Sequence, residues 1–137
     1  MVQVDVLYLG QLRCDATHGP SRMRLTTDAP VDNKGRGEAF SPTDLVGTAL
    51  GTCMLTTMAI RTLDQNYPLD GATLSVKKHM TKTLPRRIEI LEVNIQVPRG
   101  SEIDAEGRRA LEHAAHTCPV RLSISAAIEV PVTFVWA

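Results

Sequence analysis

Cys53 and Cys118 offer the most chemistry of any side chains in this sequence, and they stand far apart along it. A thiolate is a nucleophile, and two thiols brought together can cycle between dithiol and disulfide. No two cysteines have CxxC spacing, and the N-terminal MVQVDVLYLG lacks a basic leader and alternates like a strand. These features point to a reducing cytoplasm, where a cysteine pair is more often reactive than structural. The competing reading makes each cysteine a small buried hydrophobe, the common state of a free thiol. Cys53 falls in mid-helix, where the helix dipole helps a thiolate little, so an activated sulfur there calls for a nearby cation.

Other candidate groups carry less. His113 and His116, three apart on one helix face, can be drawn with Cys118 as a metal site. Structural zinc, however, draws ligand pairs from two segments, and no second cluster is evident, so no metal is expected. Cys14 reads as a strand core thiol without a partner, and His18 and His79 as turn and strand-surface residues.

The element that must position Cys53 is the stretch 41–64, SPTDLVGTALGTCMLTTMAIRTLD. Ser41 is a suitable N-cap, Pro42 suits the first helical position, and Asp44 puts a negative charge in the first turn. From Leu45 to Ile60 there is no charge and no wet face, which predicts a buried helix. The uncharged run is shorter than the roughly 20 residues of a membrane span and is diluted by Gly47, Thr48, Gly51 and Thr52, so a soluble core helix is expected and no membrane association. Gly47 and Gly51, four apart, would admit another backbone. A helix apolar all round needs a second cover beyond one sheet, so a second subunit is expected to supply it.

Before this helix, residues 2–10, 12–18 and 22–27 alternate as three strands of an antiparallel meander, with Val2, Val4, Val6 and Tyr8 on one side. Residues 28–40, DAPVDNKGRGEAF, form the longest loop. After the helix, residues 71–82 and 86–97 read as two long strands. In the second, Ile88, Ile90, Val93, Ile95 and Val97 face the core, with a bulge near Leu91–Glu92. Ser101 caps a second helix running to about Thr117, Cys118-Pro119 ends it, VRLSI starts a short helical turn, and 127–136 closes the chain as a strand. The order βββ–α–ββ–α–β over 1–137 describes a single α+β domain of antiparallel sheets around a long buried central helix.

The chain has 137 residues and a formal net charge of zero. Balanced charge, short basic runs and few aromatics argue against nucleic-acid binding.

SPTDLVGTALGTC, followed much later by HTCPV, resembles the OsmC/Ohr family of osmotically inducible and organic-hydroperoxide-resistance proteins, and the element order fits as well. The resemblance implies an OsmC-like fold, an intertwined homodimer and a cysteine-based peroxidase for organic hydroperoxides. Cys53 would then be the peroxidatic cysteine and Cys118 the resolving one. An external dithiol, a lipoylated protein in relatives, would reduce the disulfide, and no cofactor is implied. In the family an arginine held by a carboxylate supports the thiolate. Thr43 stands at the usual acid position, ten before the cysteine, and Asp44 carries the acid instead. Arg36, between glycines in KGRGE, and Arg13, beside Cys14, are the two candidate cations. Leu45, Val46, Leu50 and Met54 are expected to line an apolar substrate pocket near the sulfur. The alternative is a noncatalytic OsmC-like dimer that binds a small ligand or serves a stress response.

Overall fold

The computed structural model describes residues 1–137, which form two compact units, Met1–Val46 and Gly47–Ala137. The first unit holds β1 (Val4–Gly10), β2 (Arg13–His18) and β3 (Arg24–Asp28) in an antiparallel sheet of order β1-β2-β3. The β1–β2 turn is too tight for right-handed backbone alone: Gly10, Gln11 and Leu12 all take positive φ. β1 carries apolar side chains on both faces, and Val4, Val6 and Tyr8 are exposed along with Leu7 and Leu9.

The loop after β3 folds back on its own start. Ala29 donates to the Leu12 carbonyl, Gly37 to the Ala29 carbonyl, and Asp28 to the Phe40 carbonyl. At Gly35 a side chain is impossible, because a Cβ would lie 1.7 Å from the Ala29 oxygen.

The central helix α1 (Pro42–Arg61) begins in the first unit and runs through the second. Its start is a reciprocal cap. The Asp44 N–H donates to Ser41 Oγ at 3.1 Å, and the Ser41 N–H donates to Asp44 Oδ2 at 2.8 Å. This satisfies two backbone donors that a helix otherwise leaves orphaned.

In the second unit β4 (Thr73–Met80), β5 (Ile88–Val97) and β6 (Val132–Trp136) form a sheet of order β4-β5-β6. β5 pairs antiparallel with β4 and parallel with β6, so this sheet is mixed where antiparallel sheets were expected. The reason is the long connection from β5 to β6, which contains α2 (Ala105–His116) and α3 (Pro119–Ser123) and is long enough for a parallel crossover. The bulge lies earlier than expected. His79 pairs with Ile90 and Met80 with Ile88, leaving Glu89 as the extra residue. Leu91 is consequently fully buried with Val93, Ile95 and Val97, while Ile90 is only half-buried.

Leu50, Met54 and Met58 of α1 are fully buried. The two glycines on that face serve this chain's own sheet, not another backbone: a Cβ at Gly51 would come within 2.7 Å of Leu74 Cδ2, and one at Gly47 within 3.5 Å of Val76 Cγ1. By length and composition alone α1 could cross a membrane, a test that core helices of soluble proteins also pass.

The other side of α1 is exposed, with Thr48, Ala49, Thr52, Thr56, Ala59 and Ile60 on it. The Thr52 hydroxyl donates to the Thr48 carbonyl and the Thr56 hydroxyl to the Thr52 carbonyl, at 2.8 and 2.9 Å.

α2 is capped by Asp104, whose carboxylate accepts from the Gly107 N–H at 2.7 Å. Ser101, the expected cap, lies instead in a preceding 3-10 turn, Gly100–Glu102. Leu111, Ala114 and Ala115 form the buried stripe of α2. On the same helix Glu112 accepts from the Trp136 indole N–H, and the Arg108 guanidinium lies over the Trp136 ring.

Candidate active site

Within the second unit the two distant cysteines lie near enough to act on each other's acidity. Cys53 is half-buried on α1 and Cys118 is fully buried as the N-cap of α3. Local sequence explains the turn at Cys118. Thr117 ends α2, and Pro119 has a fixed φ suited to the first position of α3 and no N–H to leave unpaired.

The two thiols act on each other's acidity, and their surroundings shift them in opposite directions. At Cys53, burial works to raise the pKa. The Val120 N–H, the Thr57 hydroxyl and the Cys118 thiol outweigh it, so the Cys53 thiol is held below its ordinary value. The Thr57 Oγ1 stands 3.8 Å from the sulfur, one helical turn on. At Cys118, burial pushes the thiol up. The N–H groups of Arg121 and Val120 oppose this, while the neighbouring Cys53 thiol and its charge reinforce it. Cys53 is thus the more acidic of the two thiols, an order suited to attack by one and resolution by the other.

Val120 and Thr57 were not read from the sequence as part of the site. The signals were present: Thr57 is four residues after Cys53 on a helix, and Val120 follows a cysteine-proline helix start, where N–H groups point outward unpaired.

The first unit holds a charged cluster around Asp28. Arg13 makes a two-pronged pair with it, Nε to Oδ1 at 2.7 Å and Nη2 to Oδ2 at 2.9 Å. Arg13 Nη2 also donates to Glu38 Oε2 at 3.0 Å, and the Glu38 N–H donates to Asp28 Oδ2 at 3.1 Å. The Arg13 guanidinium holds the nearly inaccessible Asp28 carboxyl below the usual carboxylate range, and Arg13 itself is pushed up chiefly by Asp28. Arg36 donates to Gln11 on the exposed β1–β2 turn and adds positive charge near Asp28. Asp28 and Glu38 were also missed in the sequence, although Asp28 pairs directly with Arg13 in the β2–β3 register.

Asp44 serves the α1 cap already described. Of the residues expected to line a pocket, Leu50 and Met54 are fully buried on the inward face of α1 and are core residues, while Leu45 and Val46 are half-buried. An apolar cleft of about 220 Å³ lies elsewhere, lined by Leu55, Thr56, Met58, Ala59, Leu69, Asp70 and Ala72. His113 and His116 are on the exposed side of α2, away from the buried Cys118 sulfur, and His116 meets the Phe134 ring edge-on.

A family model described as "OsmC-like protein" matches residues 35–133. The chain belongs to the OsmC-like family. A Psychrobacter arcticus 273-4 protein, provisionally described as an osmotic stress induced and detoxification response protein, is 40% identical to this OsmC-like chain. That alignment covers 98% of this chain and 96% of the other, with a TM-score of 0.90. The fold is also similar to the Legionella pneumophila organic hydroperoxide resistance protein OsmC, at 14% identity, 98% and 96% coverage and a TM-score of 0.78. It is similar again to the Bacillus subtilis organic hydroperoxide resistance protein OhrB, at 15% identity, 98% and 97% coverage and a TM-score of 0.69. No curated protein matches the sequence.

Proposed function

We propose that this OsmC-like chain is a thiol-dependent peroxidase for organic hydroperoxides. The observation that carries the reading is that Cys53 and Cys118, far apart in sequence, lie near enough to act on each other's acidity and shift in opposite directions. The Cys53 thiolate attacks the distal peroxide oxygen, the O–O bond breaks, and the alkoxide leaves as an alcohol after taking a proton. Cys53 is then a sulfenic acid. The Cys118 sulfur attacks the Cys53 sulfur, forming the S–S bond and releasing water. A dithiol from outside the chain reduces that disulfide by exchange. The preference for organic peroxides rests on the family's hydroperoxide-resistance members.

Arg13 is paired with the Asp28 and Glu38 carboxylates and Arg36 with a neutral amide, while the groups that lower the Cys53 pKa are an N–H, a hydroxyl and a thiol. Two copies of the chain pair in a cytoplasmic homodimer, supported by the exposed apolar residues on both faces of β1 and along α1. A light-scattering mass of one chain at micromolar concentration would remove that part of the reading.

The direct test is a thiol count. One equivalent of an alkyl hydroperoxide added to reduced protein should remove Cys53 and Cys118 from the free-thiol pool and spare Cys14. Unchanged thiols would instead favour a noncatalytic ligand-binding module. The pH dependence has a definite sign. The thiolate fraction grows with pH, so a lowered Cys53 pKa brings its alkylation rate to a plateau at lower pH than for an ordinary cysteine.

A further inference from the structure

We infer that Arg61 is a positioning residue, holding the Cys118 segment in register with Cys53 so that disulfide formation outruns overoxidation. This inference rests on the peroxidase reading above. Cys53, Thr57 and Arg61 follow one another at four-residue intervals and form one stripe along α1. The segment Thr117–Val120 is fastened to this stripe at two places. At one, Cys118 and Val120 lie near enough to the Cys53 sulfur to lower its pKa. At the other, two turns of helix further on, the Arg61 guanidinium grips Thr117, the residue immediately before Cys118.

That grip has two prongs. Arg61 Nη2 donates to the Thr117 carbonyl at 2.9 Å, and Nη1 donates to the Thr117 hydroxyl. The hydroxyl is free to accept because its own proton goes to the His113 carbonyl at 2.7 Å. One planar cation therefore secures the backbone and the side chain of a single residue, which fixes orientation as well as distance. Thr117 is the C-cap of α2 and Cys118 the N-cap of α3, so the held residue sits at the joint between two helices. Without the grip, only the cysteine end of the segment remains fastened to α1. The surroundings of the Cys53 sulfur change in any case once it is oxidised and carries an oxygen.

The fate of the Cys53 sulfenic acid depends on this joint. If Cys118 stays in place, its sulfur displaces the oxygen as water and the disulfide forms. If it drifts, a second hydroperoxide donates an oxygen to the sulfenic acid, leaving another alcohol and a sulfinic acid that thiols do not reduce. Arg61 touches neither the peroxide nor the reacting sulfurs, so its removal should change this partition and leave the first oxidation alone.

The experiment compares wild type, Arg61→Gln and Arg61→Lys by intact mass after graded additions of an alkyl hydroperoxide. The rate of Cys53 oxidation is measured separately in a Cys118→Ser background with a sulfenic-acid trap. Loss of two charge-assisted hydrogen bonds is expected to raise the sulfinic-to-disulfide ratio of Arg61→Gln by about tenfold. Its first-oxidation rate should match that of the parent. Arg61→Lys, which keeps a charged donor for the carbonyl, should recover part of the ratio. Thr117→Val, which removes only the hydroxyl prong, should move the ratio in the same direction by less and guards against a folding defect in Arg61→Gln. A wild-type ratio in both Arg61→Gln and Thr117→Val, with peroxidase activity intact, would overturn the inference. Failure of the wild type to oxidise Cys53 at all would instead overturn the peroxidase reading beneath it.

Discussion

Cys53→Ser is expected to bring alkyl hydroperoxide consumption down to the uncatalysed level, and Cys118→Ser is expected to preserve a single rapid turnover followed by inactivation. The asymmetry follows from the environments of the two sulfurs. Cys53 is the one whose charge is favoured, by the Val120 N–H, the Thr57 hydroxyl and the Cys118 thiol acting against burial. A serine hydroxyl at that place stays protonated and is a poor nucleophile toward oxygen, so the loss should reach roughly three orders of magnitude or more. Cys118 contributes only one of those donors, and a serine hydroxyl can replace it. The first attack on peroxide then survives. The sulfenic acid formed has no thiol to meet, and mass spectrometry should show Cys53 gaining a second oxygen as the peroxide is raised. Equal loss of the first turnover in both variants would contradict the assignment of separate roles.

Leu91→Ala is expected to produce the largest loss of stability among single core truncations on β5, about 2–5 kcal/mol, whereas Ile90→Ala should fall well below that range. Leu91 has no exposure and lies on the middle strand of its sheet. Its Cδ2 would lie 3.7 Å from a Cβ built at Gly47 of α1, so truncation opens a void beneath that helix. Urea midpoints of the two variants decide the matter. A larger shift for Ile90→Ala would mean that the bulge lies nearer Leu91–Glu92, where alternation alone had put it.

That bulge shows where the sequence stops being legible. Strand periodicity locates β5 well, but the residue that slips out of register is set by pairing with β4, and Glu89 looks like any solvent-facing position. The α1 start was readable because Ser41, Pro42 and Asp44 act locally, within one turn. The cap of α2 was not, since Ser101 and Asp104 are both good caps and the choice depends on the 3-10 turn before Asp104. The parallel pairing of β5 with β6 likewise depends on where α2 and α3 carry the chain.

At the candidate site the cysteines announced themselves by their flanking motifs, and in the fold each acts on the other's acidity. The groups that tune them did not. Valine supplies a backbone N–H that any residue but proline would supply, and Arg61 is indistinguishable in sequence from a charge that merely favours a helix C-terminus. Arg13 was found, but its partner Asp28 was hidden in a loop whose acidic residues looked alike. Leu50 and Met54 were placed around a substrate pocket because they neighbour Cys53 in sequence. Helix geometry turns them inward with Gly47 and Gly51 instead.

The threonines of α1 have a consequence for how its outward side meets its surroundings. Thr52 and Thr56 spend their hydroxyl protons on carbonyls of their own helix, so what they turn outward is chiefly methyl. Hydropathy scales count these residues as polar, yet beside Ala49, Ala59 and Ile60 they behave more like valines. The solvent-facing strip of α1 is therefore oilier than its letters suggest.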